Sequence, residues 1–295
     1  MPGDEEYASL RERVAGEHGV VMLIGAADTG KTTLARLLAE DALAAGRRVA
    51  FVDADVAATT VGPPACVGLK RLESPHDLGQ LHEADELRFV GSVHPQGVVL
   101  PHVVAAAVLV GRARHWADLI LLDTTGIVGG VVGQTLKYHL VELVSPSLVI
   151  AMQHGTEMDP IMGMLRRFLG ARIAKAEPLA DHIPLSPVER AEQRIKAFAE
   201  ALPEPLARWR IQSAVFAPTL PEGFEADKLD GMLVGIQDGL GACLGLGVIE
   251  NHDDVLRVAT RHGEHMKGLR LGSMRIDLDS YTTTAVRLRQ LLFGI

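Results

Sequence analysis

The string Gly25-Ala26-Ala27-Asp28-Thr29-Gly30-Lys31-Thr32 constrains this chain more than any other part of its 295 residues. It follows an unbroken apolar run, Gly19-Val20-Val21-Met22-Leu23-Ile24, and opens a stretch from Lys31 to Ala45 whose leucines recur at helical spacing. An apolar run without polar alternation suits a strand covered on both faces, as in a parallel sheet. Strand, glycine turn and helix in that order form the context in which G-x-x-x-x-G-K-S/T cradles phosphate. The glycines let backbone N–H groups turn inward on phosphate oxygens, and the helix N-terminus adds a favourable field. Lys31 is then placed to reach the β and γ phosphates, with the Thr32 hydroxyl on Mg²⁺. Gly25, Ala26, Ala27, Asp28, Thr29, Gly30, Lys31, Thr32 and Thr33 are the expected nucleotide contacts, for ATP or GTP.

The rest of the chain repeats the alternation that a sheet of this kind needs. Gly46 stands where a helix C-cap belongs, and Arg48 to Val52 reads as a second buried strand. Thr59 to Gln80 is rich in Pro and Gly and reads as loop, followed by a strand at Leu87 to Val93 and a helix at Val99 to His115. Asp118 to Leu122 and Leu148 to Met152 are further strands, so the expected class is α/β: a P-loop fold with a doubly wound, mainly parallel sheet and helices on both faces. Residues 186–202 form an amphipathic helix with Ser186 as N-cap and Pro187 in its first turn. Beyond Ser213 the texture changes to short apolar runs at Ile211 to Phe216, Gly245 to Ile249, Val255 to Ala259 and Leu271 to Leu278. The expected organisation is an N-terminal arm over 1–18, a P-loop domain over 19–212 with the 186–202 helix as its lid, and a small, mostly β domain over 213–295.

Composition removes several function classes. A net charge of −8 argues against sequence-blind wrapping of nucleic acid by a basic surface, and 4% aromatic residues leave little for an extended base-stacking platform. Cys66 and Cys243 are far apart with no C-x-x-C spacing, and the twelve histidines form no ligand pattern, so no metal cage is expected. Apolar stretches are broken by His102, Arg112 or Asp123 before they could span a membrane, and the polar N-terminus has no export core, so the expected setting is cytoplasmic. Lys137 and Arg166-Arg167 read as solvated helix faces before contacts to strand phosphates, Met158, Met162 and Met164 as core, Trp116 and Trp209 as packing residues, and Gln153 and His154 as loop residues or a border to the nucleotide base or acceptor.

Two strand ends carry acids that can do chemistry. In Val52-Asp53-Ala54-Asp55 the alternation of an extended chain would turn both carboxylates the same way, suiting one Mg²⁺ ligand beside one base for a hydroxyl. Leu121-Leu122-Asp123-Thr124-Thr125-Gly126 has the look of a Walker B acid followed by a glycine able to approach a γ-phosphate. The ordinary alternative for each acid is a helix cap or loop turn.

Taken together, GAADTGKTT, VDADV with VGPPACVGL, and LLDTTGIVGGVVGQTLKYHLVELVSPSLVIAMQ resemble the polynucleotide 5′-hydroxyl kinases. That family includes the kinase of the eukaryotic pre-mRNA cleavage complex and relatives in ribosomal RNA processing, archaea and bacteria. Matching segments run from about Gly19 to Arg194, and LGLGVIENHDD with LRLGSMRIDL resembles the C-terminal part of its shorter members. The resemblance implies transfer of the γ-phosphate of ATP to the 5′-hydroxyl end of RNA or DNA, with Mg²⁺ managed by Thr32 and Asp53. It implies Asp55 as the base that takes the hydroxyl proton, and Asp123, Thr124, Thr125 and Gly126 as a clasp on the terminal nucleotide. Lys31, Arg190 and Arg194 would act on the transferring group, the two arginines from one face of the lid helix. The chain departs from the family in carrying Ala57-Ala58 where Gly-Gln is usual and Ile127 where the clasp usually has tryptophan. Those departures keep open a second reading, a switch ATPase or GTPase acting on a protein partner, and a C-terminal domain that could serve as a docking surface leaves a third, a nucleotide-binding scaffold without turnover.

Overall fold

Val20, Met22 and Ile24 point into one hydrophobic core and Val21 and Leu23 into another, so the strand that carries them is covered on both faces. The computed structural model describes residues 2–178, 185–252 and 255–294; Met1, Asp253, Asp254 and Ile295, which the sequence reading includes in the arm and the C-terminal region, lie outside them. The first part of the chain runs α1 (Pro2–Ala15), β1 (Gly19–Gly25), α2 (Lys31–Ala44), β2 (Val49–Ala54), β3 (Cys66–Leu72), β4 (Glu86–Phe89), α3 (Val99–Ala113), β5 (Leu119–Thr124), α4 (Gly130–Val144), β6 (Leu148–Met152), α5 (Asp159–Leu169) and β7 (Ile173–Ala176). Its seven strands lie in the order β4-β3-β2-β5-β1-β6-β7. The strands from β2 to β7 in that order pair in parallel, while β3 and β4 pair antiparallel at the edge.

Helices α1 and α2 cover one face and α3, α4 and α5 the other. On α2, Leu34, Leu38 and Leu43 turn to the sheet, and burial of each leucine stabilises by about 1.5–3 kcal/mol. All the parallel strands end at one edge, where α/β sheets assemble ligand sites. The register sets Asp123 of β5 beside Asp53 of β2 and Leu23 of β1, which brings three chemically active segments together.

The lid helix α6 (Pro187–Ala201) follows, capped as expected: the Ser186 hydroxyl accepts from the Glu189 N–H and Pro187 occupies the first turn. The chain then forms β8 (Ala207–Arg210), β9 (Phe216–Ala217), β10 (Met232–Gln237), β11 (Cys243–His252), β12 (Val255–Thr260), β13 (Gly268–Ile276), β14 (Thr283–Ala285) and the short α7 (Leu288–Phe293). A second sheet has the order β14-β13-β10-β11-β12-β8, with β9 added to β13. One of its faces packs Leu233, Leu246, Val248 and Met274 against Cys66 and Phe89 of the first sheet and Phe198 and Leu202 of the lid segment. The lid helix is therefore rooted at its C-terminal end between the sheets. Its first turns are left to reach the parallel-strand edge.

Three expectations need correction. Thr59 to Gln80 is not all loop, because Pro63-Pro64 only turns the chain and Cys66–Leu72 then pairs antiparallel with β2, buried at every position but Arg71. Ile211 to Phe216 is not a strand: a tight helical turn occupies Ser213–Val215. The second sheet also begins before residue 213, since β8 pairs with β12. The methionine reading holds, with Met158 and Met162 buried and Met164 packed against the same core. Trp116 packs there too, with the Arg71 guanidinium 5.2 Å from its ring centre. Among the described residues no helix is long and apolar enough to cross a membrane.

Phe89 is 1% exposed and its ring lies on the backbone of Gly235, so it joins the two sheets. Phe89→Ala is expected to lower stability by about 3–5 kcal/mol in urea unfolding. A loss below about 1 kcal/mol would mean that the sheets do not share this core.

Candidate active site

The loop after β1 has the geometry that phosphate capture requires. Gly30 takes φ 81° immediately before α2, a left-handed conformation that turns the chain into the helix and that glycine adopts at little cost. The Thr29 hydroxyl donates to the Ala26 carbonyl at 3.0 Å, and the Lys31 ammonium folds onto the same carbonyl at 2.7 Å. Lys31 is 6% exposed. Burial lowers its pKa, against the opposing charges of Asp123, Asp55 and Asp28.

The Thr32 hydroxyl donates to one Asp123 carboxylate oxygen at 2.5 Å, and the other oxygen, Oδ1, is buried without a hydrogen-bond partner among the described residues. Burial raises the Asp123 pKa, with Lys31 the largest opposing influence. A buried carboxylate oxygen left without a donor is costly. A hydroxyl and a carboxylate are hard oxygen ligands of the type Mg²⁺ takes beside a nucleotide, so this pair fits the metal.

Asp53 and Asp55 do not turn the same way. Asp53 is 1% exposed; its Oδ1 accepts from the Asp55 N–H at 2.8 Å and its Oδ2 from Thr60 at 2.5 Å and Val61 at 3.0 Å. Its pKa is pushed well up, by burial first and then by Asp123 and Asp55, although the backbone donors oppose the shift. Asp53 thus ties down the loop that follows β2, and it is the Asp123 carboxylate that meets the Thr32 hydroxyl. Strand alternation fails here because β2 ends at Ala54, and Asp55 already belongs to the turn. Asp55 uses Oδ1 to accept from the N–H groups of Ala57 and Ala58 at 3.0 and 3.2 Å. Asp55 itself lines the cavity described next.

A cavity of about 470 Å³ opens at this edge. Its lining brings together Lys31, Thr32 and Thr33 from the start of α2, Asp55 after β2, Thr125 and Gly126 after β5, and Arg190 and Arg194 of α6. Ala57, Ala58, Val93, His94 and Ile127 form an apolar wall with one imidazole. Arg190 ion-pairs with Asp28 of the phosphate loop at 2.6 Å and donates to the Leu185 carbonyl at 2.7 Å, fastening the lid to the loop. Arg194 has no ion pair among the described residues, so its charge is available to the cavity.

Backbone meets backbone where clasp and phosphate loop touch. A Cβ at Gly126 would lie 2.5 Å from the Ala27 nitrogen, so only glycine permits this approach. The Thr124 hydroxyl donates to the Leu23 carbonyl at 2.7 Å, locking the end of β5 to β1.

Two contributors escaped the sequence reading. Lys137 is not on a solvated face: it is wholly buried and donates to the Thr124 hydroxyl at 2.8 Å and the Thr125 carbonyl at 2.6 Å. Burial, and then the charge of Lys31, lowers its pKa to about 7. Its signal was present, because Gly133, Leu136, Lys137, Leu140, Val141 and Val144 form one continuous buried stripe of α4. His102 of α3 is the second. Its Nε2–H donates to the carbonyl of Ala54 at 2.7 Å, next to Asp55, and Nδ1 is buried without a partner. By contrast Arg166 and Arg167 are exposed, and Gln153 supports its own loop by accepting from the Met158 N–H at 3.2 Å.

A parallel sheet, a glycine loop at the mouth of a helix and a lysine beside a threonine–aspartate pair define a P-loop nucleotide-binding protein. The chain belongs to the family of the mRNA cleavage and polyadenylation factor CLP1 P-loop, whose family model matches residues 25–201. A polyribonucleotide 5′-hydroxyl-kinase of Pyrococcus furiosus is 26% identical to it over 344 residues, covering 100% of this chain and 92% of the relative. One of Thermococcus kodakarensis is 28% identical over 300 residues, covering 83% and 84%. The structure of Clp1p in complex with Pcf11p has the same fold, with a TM-score of 0.70 at 14% identity over 92% of this chain and 79% of that one.

The buried His102 gives stability a pH dependence. Burial lowers its pKa from 6.5 to about 4, with Lys137 adding to the shift, so the unfolded chain takes up the proton first on acidification. Stability is therefore full above pH 6.5 and falls as pH drops toward 4, by roughly 2 kcal/mol between pH 7 and 5 from this group. His102→Gln should reduce that pH 7 to 5 loss by about the same amount in urea titrations. Equal losses in both proteins would exclude His102 as the source.

Proposed function

We propose that this protein is a polynucleotide 5′-hydroxyl kinase that moves the γ-phosphate of ATP to the 5′-hydroxyl end of RNA. The observation that carries the reading is the convergence on one cavity of Lys31, Thr32, Asp55 and Arg194, which forms no ion pair among the described residues. The names of the archaeal relatives, which match nearly the whole chain, support RNA as the acceptor.

Phosphoryl transfer asks the protein mainly for position and charge. The phosphate loop and Lys31 hold the triphosphate tail. Thr32 and Asp123 would hold Mg²⁺, which would supply positive charge to the phosphates. Asp55 is held by the Ala57 and Ala58 amides on one oxygen, which leaves the other to take the 5′-hydroxyl proton. Arg194 meets the charge that spreads over the equatorial oxygens. Arg190 keeps the lid on the phosphate loop through Asp28. The wall of Val93, His94 and Ile127 receives the terminal nucleoside by contact rather than by an indole stack.

Labelled ATP and a 5′-hydroxyl oligoribonucleotide test the proposal: label enters the oligonucleotide of the wild type, whereas label released only as free phosphate would favour a switch ATPase. Asp55→Asn is expected to cut transfer by at least about 10²-fold, the lower range for a general base, while nucleotide binding stays within about twofold. Arg194→Ala should lower kcat by about 10³-fold or more, the scale of a transition-state arginine. Retained transfer in Asp55→Asn would remove the base from this mechanism.

A further inference from the structure

Lys137 is the one fully buried lysine of the described residues, and it forms no ion pair among them. Isolated buried cations are expensive, and proteins place them where an anion arrives or where charge is used. Its two hydrogen bonds both go to the clasp, to the Thr124 hydroxyl and to the Thr125 carbonyl. The second bond has a geometric consequence. The Thr125 carbonyl and the Gly126 N–H belong to one planar trans peptide and point in opposite directions. With the carbonyl drawn down onto Lys137, the Gly126 N–H points away from the ammonium. Gly126 lines the cavity, and its N–H has no hydrogen-bond acceptor among the described residues. Gly126 also abuts the backbone of Ala27, so this donor stands at the phosphate loop.

We infer that Lys137 is a positioning residue that holds the Thr125–Gly126 peptide with its N–H aimed at the γ-phosphate, making the clasp a sensor of the third phosphate. This rests on the nucleotide reading of the cavity given above. A buried cation on the carbonyl end polarises the peptide and strengthens the donor at its other end. A fixed dipole of this kind favours charge on the transferring group without reorganising during the reaction. Nucleotide adds an anion near a lysine whose neighbouring acids, Asp55 and Asp123, form no ion pair with it.

The test is titration of wild type, K137M and K137Q with ADP and with a non-hydrolysable β,γ-imido analogue of ATP, both with Mg²⁺, alongside thermal melts without nucleotide. K137M should bind the analogue about tenfold more weakly and ADP within about twofold of wild type, with a melting temperature equal to or above the wild type's. K137Q, whose amide is one bond shorter but still donates, should fall between the two for the analogue. Equal affinities of wild type and K137M for the analogue would overturn the inference. So would a parallel loss of both nucleotides together with a lowered melting temperature, the mark of a purely structural lysine. Should K137M fail to fold, K137Q alone decides: a severalfold weaker hold on the analogue with ADP within about twofold of wild type supports the inference, and unchanged analogue affinity or a parallel loss of both nucleotides overturns it. Wild type that bound neither nucleotide would overturn the reading of the cavity itself, and this inference with it.

Discussion

The contact on which the site depends is the one between two pieces of backbone, Gly126 against Ala27. Parallel pairing of β1 with β5 delivers the phosphate loop and the clasp to the same sheet edge, and the absence of a side chain at Gly126 lets them touch. Everything else is arranged around that contact. Thr32 reaches across it to Asp123, Thr124 pins the end of β5 to β1, and Lys137 holds the clasp from beneath. A gap of even an ångström there would separate the donor groups from a shared phosphate, and catalysis by position tolerates little such error.

The site is also an electrostatic compromise. Asp53, Asp55, Asp123, Lys31 and Lys137 act on one another through a buried region where charges interact strongly. The charge of Asp55 adds to burial in raising the pKa of Asp53 and of Asp123, and each carboxylate is given a separate occupation that limits the cost. Asp53 accepts three backbone N–H groups of the loop after β2, Asp123 pairs with Thr32, and Asp55 stays at the cavity wall. The lid adds its own balance: Asp28 in the phosphate loop is an acid where phosphate will bind, and Arg190 covers it.

Much of this was legible in the residues, and the failures have physical reasons. The phosphate loop could be read because strand, glycines and helix are all local features, and the motifs of β2 and β5 because acids at the ends of apolar runs stand out. The division of labour between Asp53 and Asp55 could not, since it depends on where β2 stops and on a loop that returns amides to Asp53 several residues later. Lys137 was misread through its charge, although its place in the buried stripe of α4 argued for burial. The strand at Cys66–Leu72 was hidden by prolines that turn the chain without ending its order. Ala57 and Ala58, which look like losses beside the family pattern, contribute what the turn needs from them, two backbone N–H groups for Asp55.

The central claim is that one cavity aligns a triphosphate with an incoming 5′-hydroxyl at Asp55. The most direct measurement is a crystal structure of the protein with a non-hydrolysable ATP analogue, Mg²⁺ and a short 5′-hydroxyl oligoribonucleotide. The account predicts the 5′ oxygen within about 3 Å of the Asp55 carboxylate and in line with the γ-phosphate beside Lys31. A 5′ end lying outside the cavity, or an Asp55 carboxylate turned wholly onto its own loop with the acceptor placed elsewhere, would contradict it.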